Sequence, residues 1–378
     1  MNDWAASVEC ISRHFDKLEG KVVLGVDGIV DDVWQIVSSR KNIDEYVLFE
    51  KMTDFAKSVY DTGGGGYANE ILPKRRTYGG FTANTGKALG QLGANPLLLG
   101  MFSTDDGIDP VFKEFREKYN LISVGKTSVT RIFEFSDGKI ILPYLAERTR
   151  FNWDALVKAV PLERLSEIFA DSDIVGLGYW SSIQFFDEIL TNICERFLAK
   201  KKIRMFFDFA DLRKRSREAL DYTLGLLARL NKHNPMTLSL NENEAELLYS
   251  YMGKKFTADG FGVEETTDYI RRQIAISELI VHTPYFAAAS SESEGTAYVM
   301  QRYCKNPVIT TGAGDNFNGG YIAASMNKGA LSLKERLFVG NATTGFYVRN
   351  GYSPDADDLK NEVREMLNAS KSSTELQF

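Results

Sequence analysis

The sequence predicts an α/β fold, with a mostly parallel sheet and helices on both of its faces. Short apolar runs alternate along the chain with segments of helical hydrophobic spacing, which is the pattern of repeated βαβ units. The 378 residues are 44% hydrophobic, enough to build a large core. The 45 Lys and Arg residues against 51 Asp and Glu give a net charge of −6, which argues against a general nucleic-acid-binding protein.

The elements of this fold can be assigned in order along the chain. The predicted strands are short apolar runs at residues 21–25, 96–101, 173–177, 203–207, 238–240 and 279–281. Helical spacing predicts helices over residues 85–92, closed by Gly93, and over residues 185–198. A further helix is predicted to begin in the acidic segment that starts at Asn241. Ligands of such folds bind beyond the carboxyl ends of the strands.

Two segments break the alternation, and we predict that they form a small β-sheet lid. Residues from about 34 to 77 separate the first strand from the first helix. Residues 123–150 alternate like strands around Asp137-Gly138, a dipeptide typical of hairpin turns. Two extended excursions from one core can pair with each other. The prediction is therefore a single domain over residues 1–378 with both lid segments inserted in it.

Cysteine, histidine and hydropathy patterns exclude several classes of protein. The three cysteines are scattered and odd in number, which argues against a disulfide framework. The three histidines share no ligand-like spacing, so a zinc site is not expected. No apolar run reaches the roughly 18 residues of a membrane span, and the start has no secretory pattern. We expect a cytoplasmic protein that binds neither membranes nor nucleic acid.

The segment from Thr310 to Gly320 carries the strongest functional pattern. Gly312, Ala313 and Gly314 allow close approach of the backbone to a ligand, and a helical pattern follows them. Free N–H groups at a helix N-terminus bind anions. Asp315 in the first turn fits two interpretations, a charge that stabilises the helix start or a general base beside a phosphate pocket. Spacing alone does not separate them.

A second glycine-rich segment contains Gly79, Gly80 and Asn84. It is not a P-loop, because the glycine spacing is one residue too long and Ala88 stands where a magnesium-binding Ser or Thr is required. The paired glycines and Asn84, which both donates and accepts hydrogen bonds, suit a polyhydroxy ligand. The alternative is a glycine-rich helix entry capped by Asn84.

Together these motifs resemble the PfkB, or ribokinase-like, carbohydrate kinase family over about residues 22–351. The segment Thr311 to Phe317 is similar to the family's C-terminal signature. The other matches are Gly25 with Asp31 at the first strand, Gly79-Gly80 with Asn84, the Asn-x-x-Glu element of Asn241 and Glu244, and the late helix at Asn341 to Gly345. Asp27 and Asp32 compete with Asp31 for the first-strand match.

The resemblance implies a three-layer α/β/α core with a lid, and a kinase that transfers a phosphoryl group from ATP to a sugar hydroxyl. It implies that Asp315 takes the proton from that hydroxyl. The N–H groups at residues 312–314 would form the anion hole, an arrangement that works by positioning and electrostatics. It also allows a homodimer through the lid.

Ligand contacts follow from the same resemblance. Glu244 and Asn241 would hold Mg²⁺, an ion suited to carboxylate and amide oxygens and waters. Asn241, Thr311 and Asn341 would also serve the nucleotide. The sugar would be held by Asp31, Gly79, Gly80 and Asn84.

Two departures from the family pattern leave questions open. Ile309 stands where the family usually has an acidic residue, which puts activation by potassium in doubt. Pro284 stands in the loop where the family usually has two glycines. Because proline removes an N–H group, the grip on the nucleotide is expected to differ, and the phosphate donor is open.

The substrate is weakly encoded. Basic residues in or beside the lid would favour a phosphorylated sugar if they face the site, or would form a solvated lid surface; they are Lys74, Arg75, Arg76, Arg148 and Arg150. Tyr179 and Trp180 suit either stacking on a ligand or the core. The alternatives are a nucleoside kinase and a catalytically impaired binding protein. A dinucleotide oxidoreductase is disfavoured, because the glycine run at residues 63–66 follows no apolar strand.

Overall fold

The computed structural model describes residues 3–199, 201–254, 262–327 and 331–372. The strands in these ranges are β1 (Val22–Val26), β2 (Ile29–Arg40), β3 (Tyr46–Leu48), β4 (Ile71–Gly79), β5 (Leu97–Gly100), β6 (Ser103–Thr104), β7 (Gly107–Ile108), β8 (Asn120–Ser123), β9 (Ser128–Phe135), β10 (Gly138–Pro143), β11 (Ile174–Gly178), β12 (Arg204–Asp208), β13 (Met236–Asn241), β14 (Glu278–His282), β15 (Phe286–Ser291) and β16 (Gly295–Met300).

The helices surround these strands in sequence. They are α1 (Asp3–His14), α2 (Met52–Asp61), α3 (Phe81–Gln91), α4 (Lys113–Lys118), α5 (Ala146–Arg150), α6 (Trp153–Ala159), α7 (Leu162–Ala170), α8 (Phe186–Ile193), α9 (Arg217–Leu230), α10 (Glu242–Tyr251), α11 (Val263–Ile274), α12 (Ala313–Ala324), α13 (Leu333–Asn350) and α14 (Ala356–Ser372). In the described residues no helix is both long and apolar enough to cross a bilayer.

The core is one large, mostly parallel sheet in the order β16-β15-β14-β13-β12-β11-β1-β5-β8. Only the pairings of β14 with β15 and of β15 with β16 are antiparallel. Along β1 the side chains of Val22 and Leu24 enter one hydrophobic cluster, with α1, α3, α12 and α13, while Val23 enters the other, with α6 to α9. This alternation places helices on both faces and confirms the predicted fold class.

The lid is a five-stranded sheet in the order β10-β9-β2-β3, with β4 paired to β2. It contains both predicted excursions, including the hairpin of β9 and β10. The first excursion starts earlier than residue 34, because β2 begins at Ile29, directly after β1. Asp27 and Gly28 alone separate the two strands, so their sequence gives no sign that the chain leaves the core sheet there.

Helix α3 begins at Phe81, four residues before the predicted start. The N–H groups of Phe81 and Thr82 donate to the carboxylate of Asp27 at 2.9 and 2.8 Å, and the Thr82 hydroxyl donates to it at 2.6 Å. The cap is therefore supplied from the end of β1. The alternative in which Asn84 caps this helix is wrong, since Asn84 lies within its first turns.

The carboxyl ends of the parallel strands carry polar side chains at one edge of the sheet. Asp27 follows β1 and Tyr179 follows β11, while β12, β13 and β14 end at Asp208, Asn241 and His282. Because parallel strands all end on the same side, these five groups from distant parts of the sequence come together.

Candidate active site

Asp315 lies in the first turn of α12 and is only 4% exposed. One carboxylate oxygen accepts a hydrogen bond from the side-chain amide of Asn84 at 2.8 Å. The other accepts one from the hydroxyl of Tyr179 at 2.7 Å. Two donors from α3 and from the loop after β11 therefore fix the orientation of this carboxylate.

The pKa of Asp315 is raised to about 7, chiefly by burial and also by the negative charge of Asp208. The hydrogen bonds from Tyr179 and Asn84 oppose this rise, because they stabilise the charged form. A carboxyl group with a raised pKa in a cleft is suited to take up a proton near neutral pH.

Two more buried carboxyl groups lie beside Asp315. Asp208 accepts hydrogen bonds from the side chain of Asn318 and from the N–H of Ala210, both at 2.8 Å. Burial raises the pKa values of Asp208 and of Glu244 to about 7, with a contribution to Asp208 from the charge of Glu244. The three carboxyl groups line one cleft, and their charges and burial together favour the uptake of a proton.

The turn before α12 presents backbone donors next to Asp315. Gly312 has a φ of 82°, a left-handed conformation that glycine adopts without strain. In the described part of the chain no acceptor is found for the N–H of Gly312 or of Gly314. The N–H of Ala313, in contrast, donates to the carbonyl of Thr310 at 3.1 Å. The geometry therefore leaves two of the three predicted anion-hole donors free and removes Ala313 from that set.

Three cavities meet at this turn. The central cleft, of about 280 Å³, is lined by Tyr179, Asp208, Asn241, Glu244, His282, Gly312, Gly314 and Asp315. The lid cavity, of about 160 Å³, is lined by Asp31, Arg75, Asn84, Lys87, Glu134 and Thr311, among others. The outer cavity, of about 500 Å³, is lined by Asn241, His282, Pro284, Gln301, Tyr303, Gly314 and Thr344, among others.

Of the residues predicted to hold the sugar, Asp31 and Asn84 line the lid cavity. Burial raises the pKa of Asp31, and the positive charges of Arg148, Arg75 and Lys139 oppose that rise. Asp27, its competitor in the sequence, is fully buried beneath the start of α3. The structure thus gives Asp27 a structural role and leaves Asp31 facing the cavity.

The paired glycines have a reason that needs no ligand. A Cβ on Gly80 would lie 2.3 Å from a carboxylate oxygen of Asp27, and the φ of Gly80 is 92°. A Cβ on Gly79 would lie 2.9 Å from a carboxylate oxygen of Asp31. Both glycines let two carboxylates approach the backbone closely, which the sequence could not indicate because the carboxylates lie about 50 residues away.

Asn241 and Glu244 form a reciprocal cap at the start of α10. The N–H of Glu244 donates to the side chain of Asn241 at 3.0 Å, and the N–H of Asn241 donates back to the carboxylate of Glu244 at 3.0 Å. Both side chains line the central cleft. No cluster of three or more potential metal ligands occurs among the described residues.

Two predicted nucleotide contacts are placed elsewhere. Asn341 is fully buried, and its side-chain amide donates to the carbonyl of Val299 at 3.1 Å, so it anchors β16 and does not face the outer cavity. Thr344, one turn later on α13, lines that cavity instead. Thr311 lines the lid cavity, on the other side of the turn from that implied by the family resemblance.

Several residues at the site were not identified from the sequence, or were assigned another role there. The Tyr179 hydroxyl binds Asp315, a contact that the aromatic side chain alone did not suggest. Asp208 and His282 were not singled out, although each closes an apolar strand at the edge where ligands bind. Arg148 is 4% exposed and lies near the charges of Asp27 and Asp31, and its buried Nε has no hydrogen-bond partner.

Known proteins resemble this chain over almost its whole length. The family model described as prokaryotic ketohexokinase matches residues 3–366. A ketohexokinase from Haloferax volcanii is 28% identical over 349 residues, 90% of each chain.

Solved structures share the fold at low sequence identity. Phosphofructokinase-2 from Escherichia coli, in complex with substrates and products, is 16% identical with a TM-score of 0.62, covering 92% of this chain and 100% of that chain. Fructokinase from Xylella fastidiosa with bound ATP is 14% identical with a TM-score of 0.61, covering 92% of this chain and 99% of that chain. A nucleoside kinase from Methanocaldococcus jannaschii is 16% identical with a TM-score of 0.59, covering 92% of this chain and 99% of that chain.

Proposed function

The chain belongs to the prokaryotic ketohexokinase family, and on that premise we propose that it transfers a phosphoryl group from ATP to a hydroxyl group of an unphosphorylated ketohexose. The family and the relatives make it a PfkB carbohydrate kinase, an enzyme that phosphorylates a sugar. The observation that carries the finer proposal is the position of Asp315. It lines the central cleft, and it is bound by Asn84, which lines the lid cavity.

In the proposed reaction the sugar occupies the lid cavity and presents one hydroxyl to Asp315. Asp315 accepts the proton of that hydroxyl as the hydroxyl oxygen attacks the γ-phosphorus of ATP; the bond from that phosphorus to the β,γ-bridging oxygen breaks, and ADP leaves. Asn84 and Tyr179 hold the carboxylate in place. The N–H groups of Gly312 and Gly314, with the positive end of the α12 dipole, stabilise the charge that spreads over the transferring group.

The central cleft fits a hydrated magnesium ion. When bound, Mg²⁺ would neutralise charge on the phosphates of the nucleotide. Carboxylate and amide oxygens from Glu244 and Asn241 suit this ion, since magnesium usually takes one or two carboxylates and fills its shell with waters and phosphate oxygens. Because their side chains already bond each other, we propose that they hold the ion through waters.

A neutral sugar fits the lid cavity better than a phosphorylated one. Lys74, Arg75 and Lys139 all pair with the carboxylate of Glu134, at 2.9, 2.5 and 3.3 Å. Arg76 pairs with Asp109 at 2.7 Å, and Arg150 is exposed. The basic residues that could have bound a phosphate are therefore paired or point to solvent.

Two further cations, Arg148 and Lys87, lie near the cavity. Arg148 lies near the carboxylates of Asp27 and Asp31, which offset its charge. Lys87 lines the lid cavity and donates to the hydroxyl of Tyr78, and burial lowers its pKa. Both side chains retain N–H groups that could donate to sugar hydroxyls.

The proposal is tested by steady-state turnover with ATP and Mg²⁺ on four acceptors: D-fructose, D-glucose, D-fructose 6-phosphate and adenosine. We expect the highest kcat/KM with D-fructose. A preference for the phosphorylated sugar would contradict the charge argument, and a preference for adenosine would indicate a nucleoside kinase. Absence of turnover with all acceptors, by a protein that still binds sugar in calorimetry, would indicate a binding protein.

A further inference from the structure

The loop after β14 has no free backbone donor to offer a ligand in the outer cavity. The N–H of Thr283 donates to the carbonyl of Phe286 at 2.8 Å. The hydroxyl of Thr283 accepts from the N–H groups of both Tyr285 and Phe286 at 3.0 Å. Pro284 has no N–H group. Every main-chain donor from Thr283 to Phe286 is therefore either occupied or absent.

The side chain of His282 lies where these missing donors would be needed. It is the last residue of β14, and it lines both the central cleft and the outer cavity. Within the described ranges its ring nitrogens make no hydrogen bond. An imidazole carries at least one N–H group in either of its protonation states near neutral pH. It is thus an unused donor at the boundary of the two cavities.

The packing of the ring fixes its position relative to the turn before α12. The imidazole stacks on Phe317 with ring centroids 4.9 Å apart and 27° between the planes. Its Cε1 atom would lie 3.1 Å from a Cβ placed on Gly314. The edge of the ring therefore lies against the same turn that presents the free N–H of Gly314, and both residues line the central cleft.

We propose that His282 donates a hydrogen bond from its ring to a β-phosphate oxygen of the nucleotide, in place of the backbone amides that the Pro284 loop cannot supply. This inference rests on the proposed function in one respect, that a nucleoside triphosphate is the phosphate donor. It assigns the phosphate end of the nucleotide to the boundary between the cavities, and the base to the part of the outer cavity near Tyr303 and Thr344. Phosphate affinity is then determined by a side chain rather than by loop backbone.

Isothermal titration calorimetry tests the proposal with the full chain, without turnover. The variants are His282→Leu, which removes the donor, and His282→Gln, which keeps one. The ligands are β,γ-imido-ATP, ADP and AMP, each with Mg²⁺. We expect His282→Leu to weaken the first two about 10- to 100-fold, as expected for one hydrogen bond to a charged group, with AMP and D-fructose binding unchanged. His282→Gln should recover much of the loss.

Tyr285→Ala serves as a matched control on the same loop. Only the backbone of Tyr285 is used in the turn, and its 52% exposed side chain stacks on Tyr303, beside the proposed base position rather than the phosphate position. It should leave the ratio of ADP to AMP affinity unchanged. An equal loss of ADP and AMP binding in His282→Leu would show a structural role for the ring, and unchanged ADP binding would exclude the contact. If the wild type phosphorylates D-fructose normally, either result overturns the inference about His282. A wild type without sugar turnover would instead contradict the proposed function.

Discussion

At the scale of single residues, the site depends on carboxyl groups held in an environment that resists their ionisation. Asp315, Asp208 and Glu244 are all less than a tenth exposed, and burial is the largest cause of the rise in each of their pKa values. A base is most effective when its pKa lies near the working pH. The cluster thus explains how a carboxyl group can act as a base near neutrality.

Asp208→Asn is expected to move the acid limb of the kcat/KM profile to lower pH. Asp315 must be ionised to accept a proton, so activity falls as the pH drops through its pKa in the free enzyme. The charge of Asp208 raises that pKa, and its removal therefore lowers it. The measurement is the midpoint of the acid limb for D-fructose in wild type and variant.

Asp211→Asn is the control for this shift. Asp211 lines the same cleft, but it is paired with Arg213 at 2.8 Å and its charge is not among the main causes of the raised Asp315 pKa. The acid limb of the kcat/KM profile of Asp211→Asn should coincide with that of the wild type. An unchanged or raised midpoint in Asp208→Asn would contradict the coupling of the two carboxyl groups.

Site residues could be predicted from the sequence only where the residues that act together are neighbours in the chain. The Gly312 to Asp315 motif is contiguous, so the sequence located it. Asn84 and Asp315 are 231 positions apart, and the burial of Asn341 is set by its contact with β16. No local pattern distinguishes such a buried anchor from a ligand contact, so the sequence could not indicate that Asn341 is buried against β16.

At the level of elements, two helices begin with the same kind of reciprocal N-cap, but only one of the two caps lies at the site. In α10 the cap joins Asn241 and Glu244, which line the central cleft. In α13 it joins the exposed Ser332 and the half-buried Glu335, neither of which lines the central cleft. Comparing the caps of α10 and α13 therefore separates the stabilising effect of an N-cap from the proposed role of Asn241 and Glu244 in the central cleft.

Asn241→Ala and Ser332→Ala should each destabilise the protein by about 1 kcal/mol, the usual cost of losing an N-cap. Only Asn241→Ala should also raise the Mg²⁺ concentration needed for half-maximal activity, because only that side chain lies at the proposed metal position. Urea denaturation and magnesium titration of activity are the two measurements. A similar magnesium effect in both variants would remove Asn241 from the metal site.

Element boundaries were harder to predict than element types. The sequence placed the start of α3 at residue 85 because the hydrophobic spacing is clear only from there. The structure begins it at Phe81, since the carboxylate of Asp27 satisfies the first N–H groups. A cap from a distant strand leaves no trace in the helix's own sequence.

At the scale of the whole molecule, the fold brings together groups from residue 27 to residue 315. Parallel strands end at one edge of the sheet, so Asp27, Tyr179, Asp208, Asn241 and His282 meet there without being close in sequence. The alternation of strands and helices was enough to predict that edge. The division of the edge into three cavities depends on side-chain packing and on the lid, and could not be predicted.

The central claim is that Asp315 takes the proton from the sugar hydroxyl, and kinetic comparison of wild type with Asp315→Asn tests it most directly. Asparagine keeps the size of the side chain and removes its ability to accept the proton. We predict an unchanged melting temperature, a D-fructose affinity within a few-fold of wild type by calorimetry, and a kcat lowered by about 10²- to 10⁴-fold. A folded Asp315→Asn variant with a kcat close to that of the wild type would contradict the account.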